Sequence, residues 1–382
     1  MSNKYLKKVL ILNSKTHTEL GGIETYSHKL INLFLKNGYQ VFELSQQPVV
    51  SEKKINSTLG QYIFVNHNFY KKTKIKKTIL PFYNSFLLYI TSVKVNKLHK
   101  KLVKKYKIPI VIDNNFSIKI SFCKNTKYFW VQHFDAETIK DSFLKRIIKK
   151  ILLIKNRFNF PAIITYTQKN IDYLIKNKLV NPKKSKIYSI VPGIIIPSNT
   201  HTHTQTSSEI AFIGRLDNNQ KNIQFLNEIT KVANKNNEKI TIHVYGNGPD
   251  KILIENNPNI ILHNAFKQEH ISEILSKIKV LLLPSKFEGF ALVVAEALCH
   301  GIPCIVADTY LNANFLIDNS RGKLIKNFNS DEWYKAISTI INLSKEEYKQ
   351  LSNNCIKFAK EHLSLEQFEN KWLKAIENEL KI

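Results

Sequence analysis

Residues 280–309 read VLLLPSKFEGFALVVAEALCHGIPCIVADT. The apolar run from Val280 stops at Pro284, the pattern of a short strand buried on both faces. A loop with Glu288 and Gly289 follows, then a helix-period segment from about Phe290 to His300, then a second apolar run from Pro303. Strand, helix, strand in so short a stretch is the repeating unit of a parallel sheet covered by helices.

The same rhythm extends in both directions. The amino half is predicted to carry strands at Val9–Asn13, Gln40–Leu44, Tyr62–Asn66, Pro109–Asp113, Tyr128–Gln132, Ala162–Tyr166 and Ile187–Val191. The carboxyl half is predicted to carry them at Ile210–Gly214, Ile240–Tyr245, Ile260–His263, Val280–Pro284 and Cys304–Ala307. With 382 residues and 43% hydrophobic content, the chain is too long for one ordinary core and too apolar to be disordered. Between the halves, Pro192 to Ser208 has neither periodicity nor apolar content after Pro197 and reads as a linker. The expected division is 1–192, a linker at 193–208, a second domain at 209–360 and a closing segment at 361–382.

Charge separates the halves sharply. The chain holds 57 Lys plus Arg against 30 Asp plus Glu, a net charge of +27, which excludes an acidic binder. Residues 1–200 carry 36 basic and 9 acidic side chains, while 201–382 carry 21 of each, so the excess lies wholly in the first part. From Lys71 to Lys107 twelve lysines alternate with Leu, Ile, Phe and Tyr. That stretch could meet an anionic membrane surface, bind nucleic acid or form a solvated face. The scarcity of Arg and the lack of a reader motif argue against specific nucleic-acid recognition. The Ile79–Val93 window, broken by Pro81, is too short and polar to span a bilayer. No secretory leader is expected from the four-residue run Val9–Leu12.

Cys123, Cys299, Cys304 and Cys355 form no Cys-x-x-Cys pair and read as buried small hydrophobes of a reducing compartment. Cys299-His300 with Cys304 lacks a fourth ligand, and His201 and His203 lack a nearby carboxylate, so no metal centre is expected. Gly21-Gly22, with Glu43 downstream, imitates part of a dinucleotide fingerprint, but Gly-x-Gly-x-x-Gly is missing and NAD is not expected.

Three clusters carry chemistry. On a continuous helix Glu288 and Glu296 would lie about 12 Å apart, too far for a glycosidase pair at roughly 5–9.5 Å. Such a separation suits gripping two ends of an elongated ligand, with helix N-terminal amides between them for an anion. The alternative is a solvated helix face, which the apolar Ala291–Ala295 makes hard to accept for Glu296. Arg215 follows a predicted strand, with Lys221 at the next helix; only four Arg stand against 53 Lys, and the planar fork of Arg215 suits a diphosphate. Tyr245-Gly246-Asn247-Gly248-Pro249 is a strand end followed by a tight turn. His133, after Tyr128–Gln132, reads by itself as a hydrogen-bonded core residue.

In order and spacing, the pieces EGFALVVAEAL, FIGRL with Lys221, and YGNGP resemble glycosyltransferase family 4, retaining enzymes of GT-B architecture. The resemblance runs over nearly the whole chain through Gly21-Gly22-Ile23-Glu24, His133, TYTQKNIDYLI and the tail FAKEHLSLEQFENKWLKAI. It implies an α/β fold of two Rossmann-like domains facing across a cleft, with the C-terminal helix packing back on the first domain. Domain 1–192 would face acceptor and membrane, and domain 209–360 would bind the nucleotide sugar. Arg215 and Lys221 would meet the departing diphosphate, Glu288 the donor-sugar hydroxyls, Glu296 the ribose, and His133 the transferring sugar. Gly21, Gly22, Gly246, Gly289, Phe290 and Ala291 would line the donor. The chain departs from the pattern in two places: Arg215 and Lys221 are six apart where five is usual, and Pro192-Gly193 replaces Asn-Gly.

The resemblance further implies transfer of a hexose or N-acetylhexosamine from a UDP-sugar to a lipid-anchored glycan of lipopolysaccharide, lipooligosaccharide or capsule. The enzyme would act at the inner face of the cytoplasmic membrane, peripherally, through residues 71–107. The donor is a substrate and no cofactor is expected. No Asp-x-Asp occurs, and Asp135-Ala136-Glu137 is only a loose imitation, so metal-independent activity is expected. A non-catalytic nucleotide-sugar-binding protein and a sugar-nucleotide epimerase share the architecture and remain alternatives.

Overall fold

A computed structural model describes residues 7–13, 21–45, 62–66, 96–114, 122–133, 160–197 and 209–380. They form two compact units. The first takes the described residues up to His133, those from 160 to Ile190 and the chain from Trp372; the second runs from Val191 to Lys371.

The first unit is built on seven strands: β1 (Lys8–Asn13), β2 (Gln40–Ser45), β3 (Tyr62–Asn66), β4 (Ile110–Asp113), β5 (Lys127–Val131), β6 (Ala162–Thr165) and β7 (Lys186–Ser189). Every pairing is parallel and the spatial order is β3-β2-β1-β4-β5-β6-β7. Val9 to Leu12 and Ile110 to Ile112 are buried, the unbroken apolar pattern of strands covered on both faces. The order reverses between β1 and β4, so connections leave these two strands in opposite directions and a crevice opens beyond their carboxyl ends. Asn13 and Asn114 sit at that place.

The second unit repeats the plan with β8 (Glu209–Ile213), β9 (Ile242–Tyr245), β10 (Ile260–His263), β11 (Ile278–Leu283), β12 (Cys304–Ala307) and β13 (Gly322–Ile325). Its order is β10-β9-β8-β11-β12-β13, again all parallel, and it reverses between β8 and β11. That point puts Gly214-Arg215 beside the loop that begins at Pro284. Two Rossmann-like parallel sheets are therefore present, and the predicted strands recur within a few residues of their expected ends. β13 was not predicted; it is a short edge strand of sequence GKLI with its two middle residues half-buried.

The helix expected from Phe290 spans Leu292–Cys299 instead. Ala291 adopts φ 60° and ψ 62°, a left-handed conformation that no helix can propagate, so Phe290 and Ala291 belong to the loop. Glu288 consequently lies off the helix, and the 12 Å spacing drawn for a continuous helix does not apply.

The last helix, Leu365–Leu380, serves both units by different residues. Within the second, Ile194 and Leu365 exchange backbone bonds around Ser364: Ile194 N–H donates to Leu363 O (2.7 Å) and Leu365 N–H to Ile194 O (3.0 Å). A Cβ on Gly193 would lie 2.6 Å from Cβ of Phe368 and 2.9 Å from Cα of Leu365, so only glycine fits here. Within the first unit, Trp372 is 0% exposed, packs on Phe129 and donates its indole N–H to Tyr26 Oη at 3.0 Å. Tyr188 Oη donates to Glu379 at 2.8 Å and Lys186 pairs with the same carboxylate at 3.3 Å.

Of the lysine-rich stretch, 71–95 lies outside the described residues. The described helix over 96–106 buries His99, Leu102 and Val103 in the first unit and turns Lys97, Lys101, Lys104 and Lys105 outward. This part offers charge, not an apolar stripe. No helix among the described residues is long and apolar enough to cross a membrane.

Replacing Trp372 by Ala should cost about 3–5 kcal/mol, the usual toll of emptying a buried aromatic site, measured by urea unfolding. Loss of less than about 1 kcal/mol, within the range of ordinary surface changes, would mean the helix end contributes little to the first unit.

Candidate functional site

In the second unit the loop after β8 rests directly on the loop after β9. Gly214 N–H donates to Tyr245 O (3.0 Å) and Leu216 N–H to Asn247 O (2.9 Å). A Cβ on Gly246 would collide with Gly214 O, and one on Gly248 with the backbone of Leu216, so both glycines are required by this stacking. Asp217 then caps a short turn, its carboxylate accepting from Asn219 and Gln220 N–H at 3.0 and 3.3 Å. Asp250 fastens the same turn by accepting from Asn218 N–H at 2.7 Å.

The turn (Asn218–Lys221) carries the chain from Arg215 to Lys221. Lys221 Nζ donates to Glu288 Oε1 at 2.6 Å, with side chains only 13% and 8% exposed. Burying two charges is favourable only with such close pairing, and removing either leaves the other stranded. Arg215 is 62% exposed, held by Gln220 Oε1 (2.9 Å) and Asp217 (3.4 Å). Gln220 O accepts from Lys286 N–H at 2.8 Å, stitching the cationic turn to the loop that carries Glu288.

That loop is itself tied down. Thr309 Oγ1 donates to Ser285 O and Asn312 Nδ2 to Gly289 O, each at 2.6 Å. Phe290 and Ala291 are buried, and the helix Leu292–Cys299 starts without a side-chain cap. Such a start leaves backbone N–H groups available to an anion. Buried Glu296 lies on this helix and accepts from Gln268 Nε2 at 2.6 Å. His300 faces Glu296 O (2.8 Å) and Ser272 Oγ (3.1 Å) with its two ring nitrogens, and burial lowers its pKa. Cys299, Cys304 and Cys355 are buried free thiols.

In the first unit Gly21 precedes the helix Gly22–Lys36, whose first turn carries buried Glu24. Half-buried His133 follows β5. Its Nδ1 lies 2.9 Å from Tyr166 Oη and its Nε2 3.3 Å from Asn114 Oδ1, while Tyr26 meets the ring edge-on at 4.8 Å. Loss of solvation holds its pKa down to about 3, so the imidazole is neutral near pH 7. Behind it lie buried polar groups at the switch point. Asn114 Nδ2 donates to Asn13 Oδ1 (3.2 Å) and Ser27 Oγ (3.1 Å), and Asn13 Nδ2 donates to Glu43, which is 0% exposed. Glu43, read in the sequence only against a dinucleotide fingerprint, is a core carboxylate.

The structure thus brings Arg215, Lys221, Glu288, Gly246, Gly289, Phe290, Ala291 and Glu296 to the carboxyl edge of the second sheet. Gly21, Gly22 and His133 lie in the first unit. Asp135, Glu137, His201 and His203 lie outside the described residues. Sequence reasoning missed Gln268, Asn13, Ser27, Asn114 and Tyr166. The available signal was a polar residue at the end of each of two apolar runs, Asn13 after VLIL and Asn114 after IVID.

Residues 198–362 match the family model described as Glycosyl transferases group 1. Over its length the chain is 26% identical to poly(ribitol-phosphate) alpha-N-acetylglucosaminyltransferase of Staphylococcus aureus, covering 97% of this chain and 71% of that protein. Among solved structures it resembles sucrose-phosphate synthase from Thermosynechococcus elongatus, with TM-score 0.76, 15% identity and coverage of 97% and 98%. It also resembles an S. aureus TarM variant in complex with fondaparinux, alpha-GlcNAc-glycerol and UDP, with TM-score 0.72, 15% identity and coverage of 97% and 99%. The group 1 glycosyl transferase match thus lies on the second unit, and the chain is a glycosyltransferase enzyme whose two sheets have the GT-B fold.

Proposed function

We propose that this enzyme moves a hexose or N-acetylhexosamine from a UDP-sugar, with retention, to an anionic or lipid-anchored glycan. The observation that carries this reading is the convergence of Arg215, Lys221, Glu288 and an uncapped helix start at the switch point of the second sheet. Departure of a diphosphate from an oxocarbenium-like sugar needs fixed positive charge at the leaving oxygens. Arg215 and the amides at Leu292 supply it, with Lys221 held in place by Glu288. The second oxygen of Glu288 would take donor-sugar hydroxyls, and Glu296, steadied by Gln268, the ribose. UDP is favoured because the TarM structure was solved with it.

For the acceptor, the support is electrostatic. All the net positive charge belongs to residues 1–200, and the S. aureus relative acts on a polymer of ribitol phosphate. A lysine surface attracts a polyanion or an acidic leaflet by the same Coulomb term, so a phosphate-bearing glycopolymer is the second reading beside a lipid-anchored glycan at the inner membrane face. UDP release from a panel of nucleotide sugars, with lipid-linked glycan or polyanionic polymer added, tests this. Acceptor-stimulated release from one UDP-sugar is expected; no release with any pair would overturn the reading.

One variant and one condition sharpen the test. Lys221 is a poor target because its loss strands buried Glu288, whereas exposed Arg215 can be cut back without harm to the fold. Arg215→Ala should lower kcat/KM by roughly ten- to a hundredfold, the worth of about 1.5–3 kcal/mol for a charge-assisted bond, with an unchanged melting temperature. Rates near those of the parent would remove Arg215 from the leaving-group site. Activity should also persist in excess chelator, since the positive charge invoked is the protein's own; turnover lost in chelator and restored by manganese would refute this.

A further inference from the structure

The buried polar groups at the first switch point form a chain with one direction. The chain begins where Asn13 turns its NH2 to Glu43, whose Oε1 accepts. The amide of Asn13 is thereby fixed, and its oxygen turns away from Glu43 to accept from Ser27 Oγ (2.9 Å) and Asn114 Nδ2 (3.2 Å). Asn114 spends its other N–H on Ser27 Oγ at 3.1 Å. Its oxygen is therefore left to face His133 Nε2 at 3.3 Å and can only accept there. Reversing either amide would set oxygen against oxygen, at Glu43 or between the two asparagines.

We infer that Glu43 is a positioning residue which, through Asn13 and Asn114, fixes the proton of His133 on Nε2 and makes Nδ1 the acceptor for the Tyr166 hydroxyl. Tyr166 Oη at 2.9 Å from Nδ1 then donates. The tautomer of a histidine is set by the partner of its nitrogens, and here that partner is set three residues away by a side chain in the middle of β2. All four members, Glu43, Asn13, Ser27 and Asn114, are at most 2% exposed, so no bulk water scrambles the order. The neutral imidazole that desolvation enforces is the form for which a tautomer has meaning. For catalysis the inference rests on the reading that His133 lies beside the transferring sugar; the proton's position does not.

The test is long-range proton–nitrogen NMR on the full chain labelled with 15N-histidine, the His133 signal being assigned by its loss in His133→Gln. The parent should show a single neutral Nε2–H form. In Glu43→Gln the new amide can offer oxygen or NH2 to Asn13, so the chain loses its direction. Both tautomers should then appear, and kcat should fall roughly twofold or more, in step with the competent fraction, at unchanged donor KM. Should that variant not fold, Asn114→Ala removes the acceptor one step from the ring and must give the same mixture. A parent Nδ1–H or imidazolium form would overturn the inference, as would a lone Nε2–H form persisting in both variants. Mixed tautomers with unaltered turnover would uphold the relay while removing His133 from the transfer site.

Discussion

Two parallel strands cannot be joined by a hairpin; the chain must cross over the sheet before the next parallel strand begins. Every strand then ends at the same edge, and where successive crossovers part to opposite faces a crevice is unavoidable. Both sheets here obey that constraint, reversing between β1 and β4 and between β8 and β11. Whatever residues follow those four strands inherit the crevice. In the second unit they are Gly214-Arg215 and the loop from Pro284; in the first, Asn13 and Asn114.

The two places are furnished differently. At the second switch point the charges come as a close ion pair, Lys221 with Glu288, flanked by the open guanidinium of Arg215. A pair so well shielded is weak evidence for stability, because taking both ions out of water offsets most of their attraction. The pair holds a carboxylate and an ammonium at set positions, which is what the proposed leaving-group site would need to avoid reorganisation. At the first, the groups are neutral amides and a hydroxyl around one core carboxylate, an arrangement that fixes directions of hydrogen bonds and leaves the ring of His133 uncharged.

Much of this was legible in the sequence. The continuous apolar run CIVA located its strand to the residue, because burial on both faces leaves no polar position to blur its ends. GKLI escaped notice because an edge strand is half exposed and need not be apolar. The helix after Gly289 was placed two residues early, since nothing in Phe290-Ala291 announces a left-handed alanine; that conformation is imposed by the tethered loop around it. Arg215, Lys221 and Glu296 could be picked out by residue type and spacing. Gln268 could not, as it reaches Glu296 from a turn 28 positions away. Asn13 and Asn114 stand 101 positions apart and only the sheet order makes them neighbours.

The last helix gives the chain a temporal constraint. Tyr26 lies in the first helix described, yet its hydroxyl is met by Trp372, 346 positions later. Ribosomes extend a chain by about 5–20 residues per second, so tens of seconds separate the emergence of the two partners. The first unit is the earlier to be made and the later to be finished. Until the last helix arrives, Phe129 and Tyr26 lack the ring that covers them, and the nascent amino half waits with part of its core open through the whole synthesis of the second unit.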